Sequence, residues 1–168
     1  MFSSLGGKRY LGCVNDARLR GRTKHEATTD DRDARTIHRW HVSIHVGIDV
    51  QPIAEVEASL REFGARYTHR LFTDDEIAYC GDGPAAASSL AGRFAAKEAV
   101  LKILDLDEIV PRWRSIEVRR SNGGRPVVAL HGEAADLARS QGIHDLSLSI
   151  SHGGGIASAV VIAQVAPR

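Results

Sequence analysis

From Val42 onward this 168-residue chain alternates without a fault. Val42, Ile44, Val46, Ile48 and Val50 are apolar, and Ser43, His45, Gly47 and Asp49 stand between them. Period two over nine residues puts every branched apolar side chain on one face of an extended segment, which specifies a β-strand. Such a strand needs neighbours and a covering layer, and the rest of the chain supplies both. Pro52 suits the first turn of a helix, and Ile53, Val56, Leu60 and Phe63 follow at helical spacing as far as Gly64. Thr73 and Glu76 form a capping-box pattern that opens a short helix over 74–79. The longest helical pattern, 84–104, is rich in alanine and brings Leu90, Phe94, Leu101 and Leu104 close to one face. Strands are predicted over 115–120, 127–130 and 146–150, the first two joined as a hairpin by Asn122-Gly123-Gly124. A short helix over 132–141 follows the hairpin. A last strand over 156–163 is reached through His152 and three glycines. Interspersed helices and hairpins specify the α+β class, an antiparallel sheet packed against a long helix.

Residues 1–40 lack this periodicity. They carry nine Lys and Arg against five Asp and Glu, whereas residues 41–168 carry thirteen against sixteen. The first segment has too little apolar surface to offset its ordering entropy. It is expected to be a disordered basic extension, or sequence upstream of the true start, with one domain over 41–168. A mildly acidic domain excludes a general nucleic-acid binder. No apolar run reaches the roughly 18 residues that cross a membrane, and no secretory h-region is present. Cys13 and Cys80 lie far apart without metal-type spacing, as expected of two reduced thiols in a cytoplasmic protein.

Four places could carry chemistry. Asp49 stands at the end of the apolar strand on the face opposite its valines and isoleucines, where a carboxylate serves as metal ligand, base or turn cap. Arg93 and Lys97 are four apart on one helix face, and Glu98 projects about 100° further round. That trio could hold a phosphate and a metal, or could be a solvated helix surface. Ser149-Ile150-Ser151-His152 ends a strand beside three glycines, which suits either an anion or a plain hairpin. Gly123-Gly124-Arg125-Pro126 is, by its physics, a turn with a rigid strand entry. Phosphate-binding loops of the Walker and dinucleotide types, a nucleophile elbow and a zinc-type histidine cluster are all missing from the sequence.

In order along the chain stand Val46-Gly-Ile-Asp49, Arg70-Leu-Phe-Thr-Asp-Asp-Glu-Ile77 and Arg93-Phe-Ala-Ala-Lys-Glu-Ala-Val-Leu-Lys102. Then come Ile116-Glu-Val118, Gly124-Arg-Pro126 and Ser147-Leu-Ser-Ile-Ser-His152. This series, over about residues 42–165, resembles the holo-acyl-carrier-protein synthase family of phosphopantetheinyl transferases. The resemblance implies a single-motif subunit of that fold. It implies transfer of 4′-phosphopantetheine from coenzyme A to a serine of an apo acyl carrier protein, with adenosine 3′,5′-bisphosphate released. Asp49 and Glu98 would hold Mg²⁺, and Lys97 would neutralise the diphosphate. Arg93, Ser151 and His152 would meet coenzyme A, and Gly124, Arg125 and Pro126 would shape its nucleotide pocket. Asp49 is the expected base for the serine, directly or through a metal-held water, with Glu98 the alternative. A homotrimer with sites between subunits, a cytoplasmic location and a role in fatty acid synthesis are further implications. A non-catalytic relative that only binds carrier or coenzyme A is the alternative, against which the intact Asp49, Lys97, Glu98 and His152 stand. The chain departs from the family in having Arg125 where lysine is commoner and Ile156 where many members have an aromatic. It also has Glu55, Glu57 and Glu62 on the helix that usually presents basic residues to the carrier.

Overall fold

In the computed structural model, residues 43–106 and 110–166 are described. The expectations for residues 1–40, Val42 and Cys13 lie outside them. Eleven elements follow one another: β1 (Ser43–Pro52), α1 (Ile53–Phe63), α2 (Ala65–Leu71), α3 (Asp74–Cys80), α4 (Ala86–Leu101), a 3-10 turn (Trp113–Ser115), β2 (Ile116–Arg120), β3 (Pro126–Leu130), α5 (Gly132–Ser140), β4 (Ile143–Gly153) and β5 (Ile156–Val165). Strands β1, β5 and β4 form one antiparallel sheet in that order, and β2 and β3 form a second, two-stranded one. The expected class is therefore the observed one. The expected β4 is lengthened at both ends, and α2 is an added helix. Gly64, in a positive-φ conformation, separates α2 from α1.

Helix α4 is the hub, and its composition explains how. Ala91, Ala95, Ala96 and Ala99 are buried against a sheet face that is itself small, with Gly47, Ala157, Ala159 and Ala163. Small residues on both sides let helix and sheet approach to backbone distance. A Cβ on Gly47 would collide with the Ala99 carbonyl, and one on Gly92 would press on Ile150. Helix α4 thus crosses the sheet from β4 to β1. Larger side chains fill the flanks. Leu101, Ile103, Leu104, Ile116 and Val161 form one cluster, and Val56, Leu71, Phe72 and Leu90 another.

This packing turns β1 inside out relative to a simple amphipathic strand. Gly47, Asp49 and Gln51 face α4 and are buried, while Ile44, Val46, Ile48 and Val50 are 45–61% exposed. The pairing continues the two faces across the sheet. Val46 lies opposite Ile162 and Ile48 opposite Val160, and those in turn face Ser147 and Ser149 of β4.

Candidate active site

Two carboxylates stand where α4 meets β1. Asp49 faces inward two residues beyond Gly47, and Glu98 immediately precedes Ala99, whose carbonyl abuts Gly47. Both side chains are buried. Lys102, one turn after Glu98, donates from Nζ to the Ile48 carbonyl at 2.6 Å and forms an ion pair with Asp49 Oδ1 at 2.9 Å. The close contact of helix and strand is what lets a lysine on one reach a carboxylate on the other. Ile53 N–H donates to the Gly155 carbonyl at 2.9 Å. That bond ties the end of β1 to the β4–β5 turn, where Gly154 and Gly155 take positive φ. His152 pairs with Ala157, itself opposite Gln51, so it shares the inward-facing side with Asp49 at the same end of the sheet.

Lys97, which the resemblance sets at the diphosphate, does not join this group. It is fully buried, and its Nζ donates to the carbonyls of Leu71, Trp113 and Ile116 at 2.8, 3.0 and 2.5 Å. Glu76, also buried, supplies the counter-charge at 2.8 Å. Burial pulls the Lys97 pKa down, against the attraction of Glu76. With three carbonyls and one carboxylate around it, the ammonium has no donor left for a ligand. The cation on Asp49 is Lys102, to which the sequence alone assigned no role. Its signal was present as a Glu–Lys pair at i, i+4.

Ser151 also lies apart from this group. It pairs with Ser158, opposite Val50, so its side chain lies on the outer sheet face, away from Asp49 and His152.

Arg93 is brought into a second cluster. Buried on α4, it lays its guanidinium carbon 4.4 Å from the centre of the Tyr79 ring and donates from Nη1 to the Ser89 carbonyl at 3.2 Å. Arg120, at the end of β2, approaches the same ring at 5.5 Å and donates to the Gly124 carbonyl at 2.6 Å. Arg93 and the Gly124-Arg125-Pro126 turn are thus linked through Tyr79 and Arg120, neither of which the sequence singled out. Arg93 and Glu98 are five positions apart, about 7.5 Å of rise and about 140° of turn. The two clusters therefore occupy different flanks of α4.

Two buried carboxylates with substrate oxygens completing the sphere suit a hard cation such as Mg²⁺. Among the described residues, no group of three or more His, Cys, Asp or Glu could enclose a metal unaided. Two clefts, of 380 and 530 Å³, lie elsewhere, the larger lined by Arg70, Arg112, Trp113, Arg114 and His131. Neither includes Asp49, Glu98 or Arg93.

Fold and site together define a small α+β domain with two buried carboxylates and a lysine at a helix–strand contact. The family model for the 4′-phosphopantetheinyl transferase superfamily matches residues 45–160, and the chain belongs to that superfamily. Within it, the similarity is to the holo-acyl-carrier-protein synthases. The synthase of Moorella thermoacetica is 40% identical over 121 residues, covering 72% of this chain and 94% of its own. The Helicobacter pylori synthase in complex with coenzyme A superposes with a TM-score of 0.61 at 35% identity, covering 73% of this chain and 99% of that one. The Chronobacterium ammoniagenes synthase–coenzyme A complex gives 0.63 at 31% identity, covering 75% and 99%. No helix among the described residues is long and apolar enough to cross a membrane.

Proposed function

We propose that this protein transfers the 4′-phosphopantetheine group of coenzyme A to a serine hydroxyl of an apo acyl carrier protein, with Asp49, Glu98 and Lys102 at the reacting centre. The observation that carries the residue roles is the burial of both carboxylates at the α4–β1 contact, with the Lys102 ammonium on Asp49. The coenzyme A complexes of the two similar synthases support coenzyme A as the donor.

Asp49 and Glu98 would hold Mg²⁺, which when bound offsets the charge of the diphosphate oxygens. Lys102 places a second positive charge at the same end of the site and takes the part expected of Lys97. One of the two carboxylates, Asp49 first, accepts the serine proton. The new bond runs from serine Oγ to the β-phosphorus. The bond from that phosphorus to the bridging oxygen breaks, and its electron pair leaves with adenosine 3′,5′-bisphosphate. The burial of these charges keeps them preorganised, so that little reorganisation accompanies the transfer. Arg93, His152 and the Gly124-Arg125-Pro126 turn bind the rest of coenzyme A.

The assembly that fits this chain is a homotrimer whose sites lie between subunits. It is supported by the apolar outer face of β1 and β5, large enough to need covering, and by the separation of the two clusters on α4. Carrier proteins are acidic, and the exposed face of α1 offers Glu55 and Glu57, so docking charge must come from elsewhere, such as Arg66 and Arg70 on α2. The cytoplasm and fatty acid synthesis are the setting this activity suits.

The direct test mixes the protein with coenzyme A, Mg²⁺ and a panel of apo carriers. Intact-mass measurement is expected to show one phosphopantetheine gained by a carrier, and none when the metal is chelated. No gain on any carrier would refute the assignment.

A further inference from the structure

The cluster around Tyr79 has an unusual charge balance. Three other arginines are ion-paired: Arg112 with Glu133, Arg114 with Asp74 and Arg119 with Glu117. Among the described residues, neither Arg93 nor Arg120 has a carboxylate within ion-pair reach. Both guanidinium groups nonetheless sit on one phenol ring, at 4.4 and 5.5 Å from its centre, and so no more than about 10 Å from each other. Arg93 is only 7% exposed, and its Nε, buried, has no hydrogen-bond partner. A buried guanidinium normally has its donors satisfied. Two unpaired cations that converge, one with an unused donor, are arranged to meet an anion of more than one charge.

Tyr79 is not there to fill the core, since half of it (51%) is exposed. It is held by what surrounds it. Helix α3 opens on the reciprocal capping box of Thr73 and Glu76, and the Glu76 carboxylate also accepts from Val118 N–H on β2 and pairs with Lys97 on α4. Tyr79 lies three residues beyond Glu76, so its ring is fixed relative to both the helix that carries Arg93 and the strand that carries Arg120. The electron-rich ring face attracts both cations and offsets part of their mutual repulsion. The Gly124 carbonyl then aims Arg120 back over the hairpin turn.

We propose that Tyr79 is a positioning residue that sets Arg93 and Arg120 as a clamp for a phosphomonoester dianion, and that this clamp reads the 3′-phosphate of the donor. The inference rests on the proposed use of coenzyme A. That molecule carries one phosphomonoester, on the ribose, whose second proton is lost near pH 6. Its diphosphate is already matched by the carboxylate-held cation and Lys102. A planar guanidinium gives a phosphate two parallel hydrogen bonds, and two guanidinium groups held apart by a ring could bind it from two sides. The consequence is selectivity for coenzyme A over 3′-dephospho-coenzyme A, set by a ring that makes no contact with the reacting phosphorus.

The test is steady-state transfer to a fixed saturating carrier, with coenzyme A and 3′-dephospho-coenzyme A as alternative donors. Tyr79→Leu is expected to raise the KM for coenzyme A about tenfold or more, the scale of losing one hydrogen bond to a charged group. With the dephospho donor the same substitution is expected to change kcat/KM by no more than about twofold. Tyr79→Phe keeps the ring and is expected to restore the wild-type preference. Arg120→Gln, at an exposed hairpin position, reports the same selectivity loss without touching α3, and so serves should Tyr79→Leu fold poorly. Equal losses with both donors would mark Tyr79 as merely structural and overturn the proposal, as would an unchanged preference in Arg120→Gln. These outcomes are distinct from failure of the function itself, which would appear as no transfer from coenzyme A by the wild-type protein.

Discussion

Glu98 and Lys97 are adjacent in sequence, and their substitutions are expected to fail in different ways. Glu98→Ala removes a charge-organising group at the reacting centre and should lower kcat by at least about 10²-fold while leaving the fold largely intact, as steady-state rates and a thermal melt would show. Activity within a few-fold of wild type would refute the metal-ligand role. Lys97→Met leaves Glu76 buried without its partner, a change of about 3–5 kcal/mol. It should appear as a large drop in the urea midpoint whether or not substrate is present. The sequence placed Arg93 and Lys97 correctly on one helix face, because a spacing of four dictates that. It could not say that Lys97 lies under α2 and the 3-10 turn, because three backbone carbonyls from distant segments make that environment. Asp49 was legible for the opposite reason: strand alternation alone sets it apart from the apolar face. Glu117 adds a pH effect. Burial pushes its pKa up, but hydrogen bonds from Arg119, His131 and Thr73 outweigh that and hold the carboxyl below its ordinary 4.5. A depressed carboxylate contributes stability above the ordinary value and loses it as pH falls through the folded one. The stability gap between wild type and Glu117→Gln should therefore be full at pH 7 and shrink below about pH 4.5, as urea titrations at stepped pH would measure.

At the scale of elements, the contact between α4 and β1 decides whether there is a site. Gly47 is required by closeness and not by backbone angle, since the Ala99 carbonyl occupies the space of a Cβ. Gly47→Ala must push strand and helix apart, at a cost of about 1–3 kcal/mol or more, and the shift falls on Asp49 and Glu98 together. Activity should drop further than stability alone accounts for. Gly83→Ala, with open space around it, is the matched control and should leave both unchanged in parallel urea and rate measurements. The alanines of α4 and β5 hint at such an approach in the sequence. Which strand lies beneath Ala99 does not follow from them, since small residues permit close packing without naming the partner. For the same reason the period of β1 identified a strand but not its buried face. An apolar stripe next to a glycine-and-aspartate stripe ordinarily turns inward, and here the narrow space under α4 admits only the small side.

The whole molecule carries that inversion as an exposed apolar face, and its fate is the remaining prediction. Ile44, Val46, Ile48, Val50 and Ile162 lie on one side of the β1–β5 pair, all more than 40% exposed. A contiguous patch of branched side chains on one sheet face marks an interaction surface. Closed rotational symmetry is the usual outcome when a chain associates with its own copies. In the proposed trimer each subunit buries this face against its neighbours, and the carboxylate cluster of one subunit is completed by another. Sedimentation of the wild-type protein should then give three times the 18.2 kDa subunit mass. Val46→Lys or Ile162→Lys, neighbours across the β1–β5 ladder, place a charge where the apolar contact would form. Each should shift the protein to monomer while circular dichroism stays unchanged, since neither side chain packs in the subunit core. Transfer activity should fall with the trimer fraction and not with subunit stability, because Asp49, Glu98 and Lys102 lie on the opposite face of the sheet and are undisturbed within each subunit. A wild-type monomer, or a Val46→Lys monomer with full activity, would detach the site from the assembly and leave the apolar face without this role.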